Sequence, residues 1–288
     1  MTMQVRGLRV LATTFDAFLV DVWGVLHDGE RLFEGVLDAL ESLAAAKRPV
    51  VLLTNTSRTG ELVVETLGKL GLDRALFHDV VTAGDVTRAA LVARDPAIFA
   101  ALPDAPRCYH LGQESFVPWL FELGLDFTED IAAADLVVAT GAFADAAAVA
   151  AARDLLAPAA ARNAPLVCTN PDRIIPSAKG PRLGPGAIAR AYGELGAPTF
   201  LYGKPHAPIY EEARRRLAFL DPSARILAIG DTLETDVRGA TGARIPSALV
   251  VGSGVHAEAL SAADDDALRT FFEQEGLAPE LVLRRFVW

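Results

Sequence analysis

The sequence predicts an α/β protein: a doubly wound parallel-sheet core interrupted by a second α/β module. Three observations carry this. Short apolar runs of strand length alternate with segments of helical period along most of the chain, the pattern of a sheet covered by helices. Four of the expected core strands end in polar, reactive residues, and ligands of open α/β sheets bind at the carboxyl ends of their strands. The chain has 288 residues, 51% of them apolar, enough for one large domain or two modest ones.

The elements follow in order. Phe15–Val22 is apolar and reads as a buried strand ending at Asp21. Residues 33–47 place Val36, Leu37, Leu40 and Leu43 at helical spacing, and Pro49–Thr54 is the second strand. Residues 59–70 form a helix closed by Gly71, and residues 84–94 form another that breaks at Asp95-Pro96. The middle repeats the pattern, with strands at Arg107–Leu111, Leu136–Ala139 and Leu166–Thr169 and helices at 115–123 and 145–156. A stretch holding Pro158, Pro165, Pro171, Pro176, Pro181 and Pro185 reads as loops and a crossing between domains. The core pattern then resumes. Helix 187–195 precedes strand Thr199–Tyr202, helix 207–219 precedes strand Ile226–Gly230, and helix 234–242 precedes strand Ser247–Val251. Asp264-Asp265-Asp266 reads as a solvated helix start, and Phe286-Val287-Trp288 as an apolar end packed on the core.

The formal charge of −10 argues against a nucleic-acid or anionic-membrane partner. No apolar run reaches the ~18 residues of a membrane span, and Met1–Arg6 lacks the apolar core of a signal peptide. Cys108 and Cys168 are far apart and read as reduced thiols. The expectation is a soluble cytoplasmic protein.

The strand ends suggest the chemistry. A carboxylate at the end of a buried strand costs several kcal/mol unless a cation or hydrogen bonds compensate it. Asp21 therefore reads as a nucleophile or a metal ligand. The other ends are Thr54-Asn55-Thr56-Ser57, Gly203-Lys204-Pro205 and the run from Gly230 to Asp236. Taken singly each is a common turn or cap; on one sheet edge they suit phosphoryl transfer. Asp21 and Asp231 offer hard oxygen ligands for Mg²⁺, with Asp236 orienting a water. Lys204 would neutralise nucleophile and phosphate. Thr54 and Asn55, with Thr56 beside them, would bind phosphate oxygens at the start of a helix.

These four motifs, in this order, resemble the haloacid dehalogenase-like superfamily, and the spacing resembles its class IIA phosphatases. The resemblance implies a Rossmann-like catalytic core, residues 1–83 and 180–288, and an inserted α/β cap, residues 84–179. Thr169-Asn170-Pro171-Asp172 is similar to the Asn-Pro-Asp stretch that ends such caps, which makes Asp172 a substrate-binding candidate. It further implies a Mg²⁺-dependent phosphatase acting on a small phosphorylated metabolite. Asp21 would form an aspartyl-phosphate, and the backbone carbonyl of Trp23 would join Asp21 and Asp231 as metal ligand. Caps of this subgroup often meet in dimers, so a homodimer through the cap is a further implication.

One position departs from the pattern. Such phosphatases usually carry a second aspartate two residues after the nucleophile, as acid and then base. Here it is Trp23. A carbonyl ligand survives any substitution, but a general acid/base worth about 10²–10⁴-fold does not. His27, Asp28, Glu30 and Asp172 are the candidate replacements, each otherwise an ordinary loop residue. Trp23 reads as a wall of the site or a contact to an aromatic or sugar substrate. Arg58 could meet a second anionic group or lie on a helix surface. Two alternatives to hydrolysis remain: a degenerate member that binds a phosphorylated ligand, and a phosphotransferase.

Overall fold

The computed structural model describes residues 2–175 and 180–288; Pro176 and the expected end of the insertion at residue 179 lie outside them. The chain divides into two compact units, one comprising Met1–Thr54, Gly60–Val81 and Lys204–Trp288, the other Asn55–Thr59 and Thr82–Gly203.

The first unit is built on a seven-stranded sheet. Its order is Met3–Val5, Leu281–Leu283, Ser247–Val250, Ile226–Gly230, Ala17–Val20, Val50–Thr54 and Asp79–Thr82. The first six pair in parallel. From Ala17–Val20 the chain winds outward one way through Val50–Thr54. It later returns to Ile226–Gly230, on the other flank of Ala17–Val20, and winds the opposite way. The reversal makes the fold doubly wound, and its switch point lies between the strands that lead to Asp21 and Asp231. Ala17–Val20 is buried throughout, as expected of a parallel strand covered on both faces. On the helix Val36–Ala45, Val36, Ala39, Leu40 and Leu43 turn inward at helical spacing, while Leu37 faces solvent.

The chain's end completes this core. Asp264 caps the helix Asp265–Glu275, its Oδ1 accepting from the Ala267 N–H at 2.9 Å, and Asp265 and Asp266 occupy the first turn. Phe286 is buried and Trp288 packs against the same cluster. The strands Met3–Val5, Asp79–Thr82 and Leu281–Leu283 were not expected from the sequence. They are three or four residues long.

The second unit has its own five-stranded parallel sheet: Thr199–Leu201, Leu166–Cys168, Leu136–Ala139, Arg107–Leu111 and Asp126–Phe127. Alternate residues feed two cores, as the period of a strand requires. Val137, Ala139, Leu166 and Cys168 pack with the helices Ala146–Ala161 and Pro185–Gly193; Leu136, Val138 and Val167 pack with Leu91, Trp119 and Leu120. Cys108 and Cys168 are free and buried, and burial pushes both thiols up to about 12.

This corrects one sequence expectation. Thr199–Tyr202 was expected in the core sheet, but Thr199–Leu201 pairs with Leu166–Cys168 instead. The helix before it also belongs here, with Ile188, Ala189 and Tyr192 buried and the Tyr192 hydroxyl donating to the Ala164 carbonyl at 2.8 Å. The second unit therefore runs to Gly203 and takes in Asn55–Thr59. Strand periodicity reports that a strand exists; hydrogen-bond partners decide which sheet receives it.

Candidate active site

Asp21 leaves the sheet one residue beyond Val20, its N–H donating to the Ile229 carbonyl at 2.8 Å. The register pairs Val20 with Ile229, so Asp21 and Asp231 emerge side by side at the switch point. After Asp231 the chain turns through Leu233–Val237 as a single π-helical turn and only then becomes the helix Arg238–Gly242, where one continuous helix was expected. Such wide turns recur at functional sites. This one swings Asp236 back over Gly230, where a Cβ would collide with the Asp236 carboxylate.

Lys204 closes the group. Its Nζ donates to Asp21 Oδ1 at 2.6 Å and to Asp236 Oδ1 at 2.7 Å. All four residues are buried, Lys204 at 3% exposure and Asp231 at 2%. One ligand oxygen from each of Asp21, Asp231 and Asp236 lies within 4.8 Å of the others. The remaining oxygens of Asp231 and Asp236 are supported. Asp231 Oδ2 accepts from the Val255 N–H at 2.7 Å and its Oδ1 from the Thr232 hydroxyl at 3.1 Å; Asp236 Oδ2 accepts from the Thr232 N–H at 3.1 Å.

Burial opposes the charge on Lys204, but Asp21 and Asp236 outweigh it and hold the ammonium well above its usual range. Burial, reinforced by Asp21 and Asp236, pushes the Asp231 carboxyl well up. Burial raises Asp236 to about 6 against the lowering pull of Lys204. Three carboxylates and one ammonium leave two net negative charges when all are ionised. A hard divalent cation with oxygen ligands fits both the donor set and that charge.

The sequence missed the glycines that make room for this cluster. Gly24 has φ +84 and Gly254 φ +72, and a Cβ on either would run into the Asp231 carboxylate. The Ser253 hydroxyl donates to the Gly24 carbonyl at 2.6 Å and ties the two loops. Gly252-Ser253-Gly254 reads as a mere turn in the sequence; paired glycines after a core strand are the signal that marked it.

Of the other expected residues, Thr54 ends its strand in the first unit, while Asn55, Thr56 and Asp172 belong to the second. No helix starts at Asn55; the next, Gly60–Lys69, begins five residues on. There Asn55 Nδ2 donates to Asp172 Oδ1 at 2.7 Å. The turn that carries Asn55 and Thr56 is pinned from its own unit. The Ser57 hydroxyl bonds that of Thr169 at 2.6 Å, Trp119 Nε1 donates to the Ser57 carbonyl at 3.1 Å, and the Gly84 N–H donates to the Thr56 carbonyl at 3.0 Å. Arg58 lies over the Phe116 ring, 5.3 Å from its centroid. Trp23 is half-buried. In the loop beyond it, His27 Nδ1 accepts from the Gly29 N–H at 2.8 Å, leaving Nε2 to carry the proton, and burial lowers the ring's pKa. Asp28 is exposed and accepts from the N–H groups of Glu30 and Arg31, which hold its carboxyl below the usual range. That fits a turn residue better than a general acid.

Comparison with known proteins identifies the family. A haloacid dehalogenase-like hydrolase family model matches residues 18–126, and a second model of that hydrolase type matches residues 201–273. Human chronophin is 31% identical over 250 residues, 81% of each chain. A haloacid dehalogenase-like hydrolase from Brucella suis superposes with a TM-score of 0.80 at 33% identity, covering 98% of this chain and 100% of its own. The glycerol phosphate phosphatase of Mycobacterium tuberculosis, solved with magnesium and also with calcium, shares the fold at 24% identity. Its magnesium complex has a TM-score of 0.64 and covers 91% of this chain and 74% of its own. The chain belongs to the haloacid dehalogenase-like hydrolases and groups with that family's phosphatases. No helix among the described residues is long and apolar enough to cross a membrane.

Proposed function

We propose that the protein is a Mg²⁺-dependent phosphatase that hydrolyses a small phosphorylated metabolite through an aspartyl-phosphate on Asp21. The observation that carries this reading is the buried ammonium of Lys204 between Asp21 and Asp236, beside Asp231. A carboxylate nucleophile and a phosphate ester repel each other, and the Lys204 ammonium together with a divalent cation would offset that repulsion. An Asp21 oxygen attacks phosphorus while the bond from phosphorus to the ester oxygen breaks; water then cleaves the acyl phosphate and restores Asp21. Lys204 balances the charge on Asp21 and holds its carboxylate in place. Asp21, Asp231 and the Trp23 carbonyl would hold Mg²⁺, with Asp236 behind them, and the ion would supply the positive charge that draws the phosphate in. Thr54, Asn55 and Thr56 are assigned to phosphate oxygens and Asp172 to the substrate. The cap role, and with it substrate choice, falls to the unit that contains residues 82–203, with a homodimer through it as part of the same reading.

Trp23 favours a second reading. With no carboxyl at that position, the leaving group lacks its usual acid and the acyl phosphate its usual base, so a ligand-binding or phosphotransferase role follows if no other group takes over. Phosphate release from a panel of phosphate esters, with and without Mg²⁺, separates the two for the wild type, Asp21→Asn and Trp23→Asp. The phosphatase reading expects Mg²⁺-dependent turnover in the wild type and none in Asp21→Asn. More than a few per cent of activity in Asp21→Asn refutes the nucleophile. An inert wild type that Trp23→Asp awakens, by about 10²–10⁴-fold, favours the second reading.

A further inference from the structure

At the amino-terminal end of the core strands lies a cavity of about 240 Å³ onto which Arg214, Arg225 and Arg244 converge. Ile226, Ile245 and Pro246 also line it. Ile226 opens the strand Ile226–Gly230, whose other end leads to Asp231. Five residues at about 3.3 Å each put the cavity about 16 Å from the catalytic edge, so it is a separate place on the same unit.

The charges there are unbalanced. The acids nearby are already engaged: Asp16 pairs with Arg48 at 3.1 Å and accepts from the Arg225 N–H at 2.9 Å, and Glu212 pairs with Arg215 and Arg216. Among the described residues, no carboxylate lies within ion-pair distance of the three guanidinium groups around the cavity. Two of these side chains are held in place. Arg214 Nη2 donates to the Ala243 carbonyl at 3.1 Å, and Arg225 stacks over Phe15 at 5.2 Å. All three arginines are exposed, so water screens their mutual repulsion, but an anion seated in the hollow would meet three positive charges at once on a chain of net charge −10.

We propose that this cavity is a second anion site, distinct from the catalytic one, that takes a compact and multiply charged phosphate anion of pyrophosphate size. The planar, bidentate guanidinium matches phosphate oxygens better than a point charge does. The volume lies below the roughly 300–1,000 Å³ of sites for larger ligands, which sets the size. Binding there gives the enzyme a site for an effector that does not compete with substrate.

Calorimetric titration of inorganic pyrophosphate into the full chain, at low salt with EDTA, tests this. The comparison is wild type against Arg225→Gln, Arg244→Asn and the double variant. Asparagine is chosen at 244 because the backbone there has φ +56. The wild type should show a binding event that weakens about fivefold for each charge removed, about 25-fold in the double variant, and fades at high salt. Turnover without pyrophosphate should be unchanged. Any event common to all four proteins reports the catalytic edge, so the reading rests on the difference alone. Equal affinity in wild type and double variant, or no binding by the wild type at millimolar pyrophosphate, overturns the proposal. Arg225→Gln alone decides the matter if the double variant does not fold.

Discussion

Replacing Lys204 by Met keeps most of the side chain's bulk and removes the ammonium between Asp21 and Asp236. The lysine donates to them at 2.6 and 2.7 Å from a site where it is only 3% exposed. Removing one partner from a buried ion pair costs about 3–5 kcal/mol, because the other charge stays buried and uncompensated. For a chain of this size that is a fall in unfolding temperature of roughly 10 °C. The pH dependence follows from Asp236. Burial holds its carboxyl at about 6, above the ordinary 3.8. Between these values the folded chain keeps a proton that the unfolded chain releases, so the contribution of Asp236 to stability falls as pH rises from about 4 to 6, and the raised Asp231 acts in the same direction. Without Lys204 the carboxyls rise further and the window extends upward. Thermal unfolding followed by circular dichroism, in EDTA at pH 8 and pH 5, should show a large deficit for Lys204→Met at pH 8 that shrinks at pH 5, where protons replace the lost ammonium. Equal unfolding temperatures at pH 8, or a deficit that grows in acid, would refute this electrostatic account.

Three further outcomes are expected. Mg²⁺ at about 100 times its dissociation constant should raise the stability of the wild type by about 2.7 kcal/mol. The gain should be larger at pH 8 than at pH 5 because protons compete for Asp231 and Asp236, and EDTA should reverse it; an unfolding temperature insensitive to Mg²⁺ at pH 8 counts against the metal site. Gly24→Ala places a Cβ against Asp231 at a φ of +84, so it should cost about 1–3 kcal/mol and diminish the Mg²⁺-induced rise. Thr169→Val leaves the buried Ser57 hydroxyl without its 2.6 Å partner. It should cost about 1–3 kcal/mol in chemical denaturation, with Thr169→Ser restoring most of it; a silent Thr169→Val would show that this pair does not hold the 55–59 turn.

The carboxylates of the candidate site were legible because chemistry marks them. Asp21 and Asp231 are acids placed where apolar strands end, and a carboxylate there calls for a cation. Asp236 follows five residues after Asp231. Lys204 was legible as a residue but not in its setting: the strand before it, Thr199–Leu201, belongs to the second sheet, and only the chain after Gly203 returns to the first unit. Asn55 and Thr56 show the same limit. They follow a core strand directly, yet hydrogen bonds to their turn from Thr169, Trp119 and Gly84, far along the chain, place it in the other unit.

The fold class, the order of most helices and longer strands, and the identity of the residues with reactive side chains can all be read from the amino-acid sequence alone. Those properties reside in apolar period and residue chemistry, which are local. Tertiary structure alone decided which sheet each strand joined, the wide turn that brings Asp236 onto Lys204, the glycine clearance at 24 and 254 around Asp231, and the meeting of Arg214, Arg225 and Arg244 on one cavity. Each depends on partners distant in the chain. A hydrogen-bond ladder, a buried charge and a close backbone approach are settled by what arrives from elsewhere, and no window of sequence contains it.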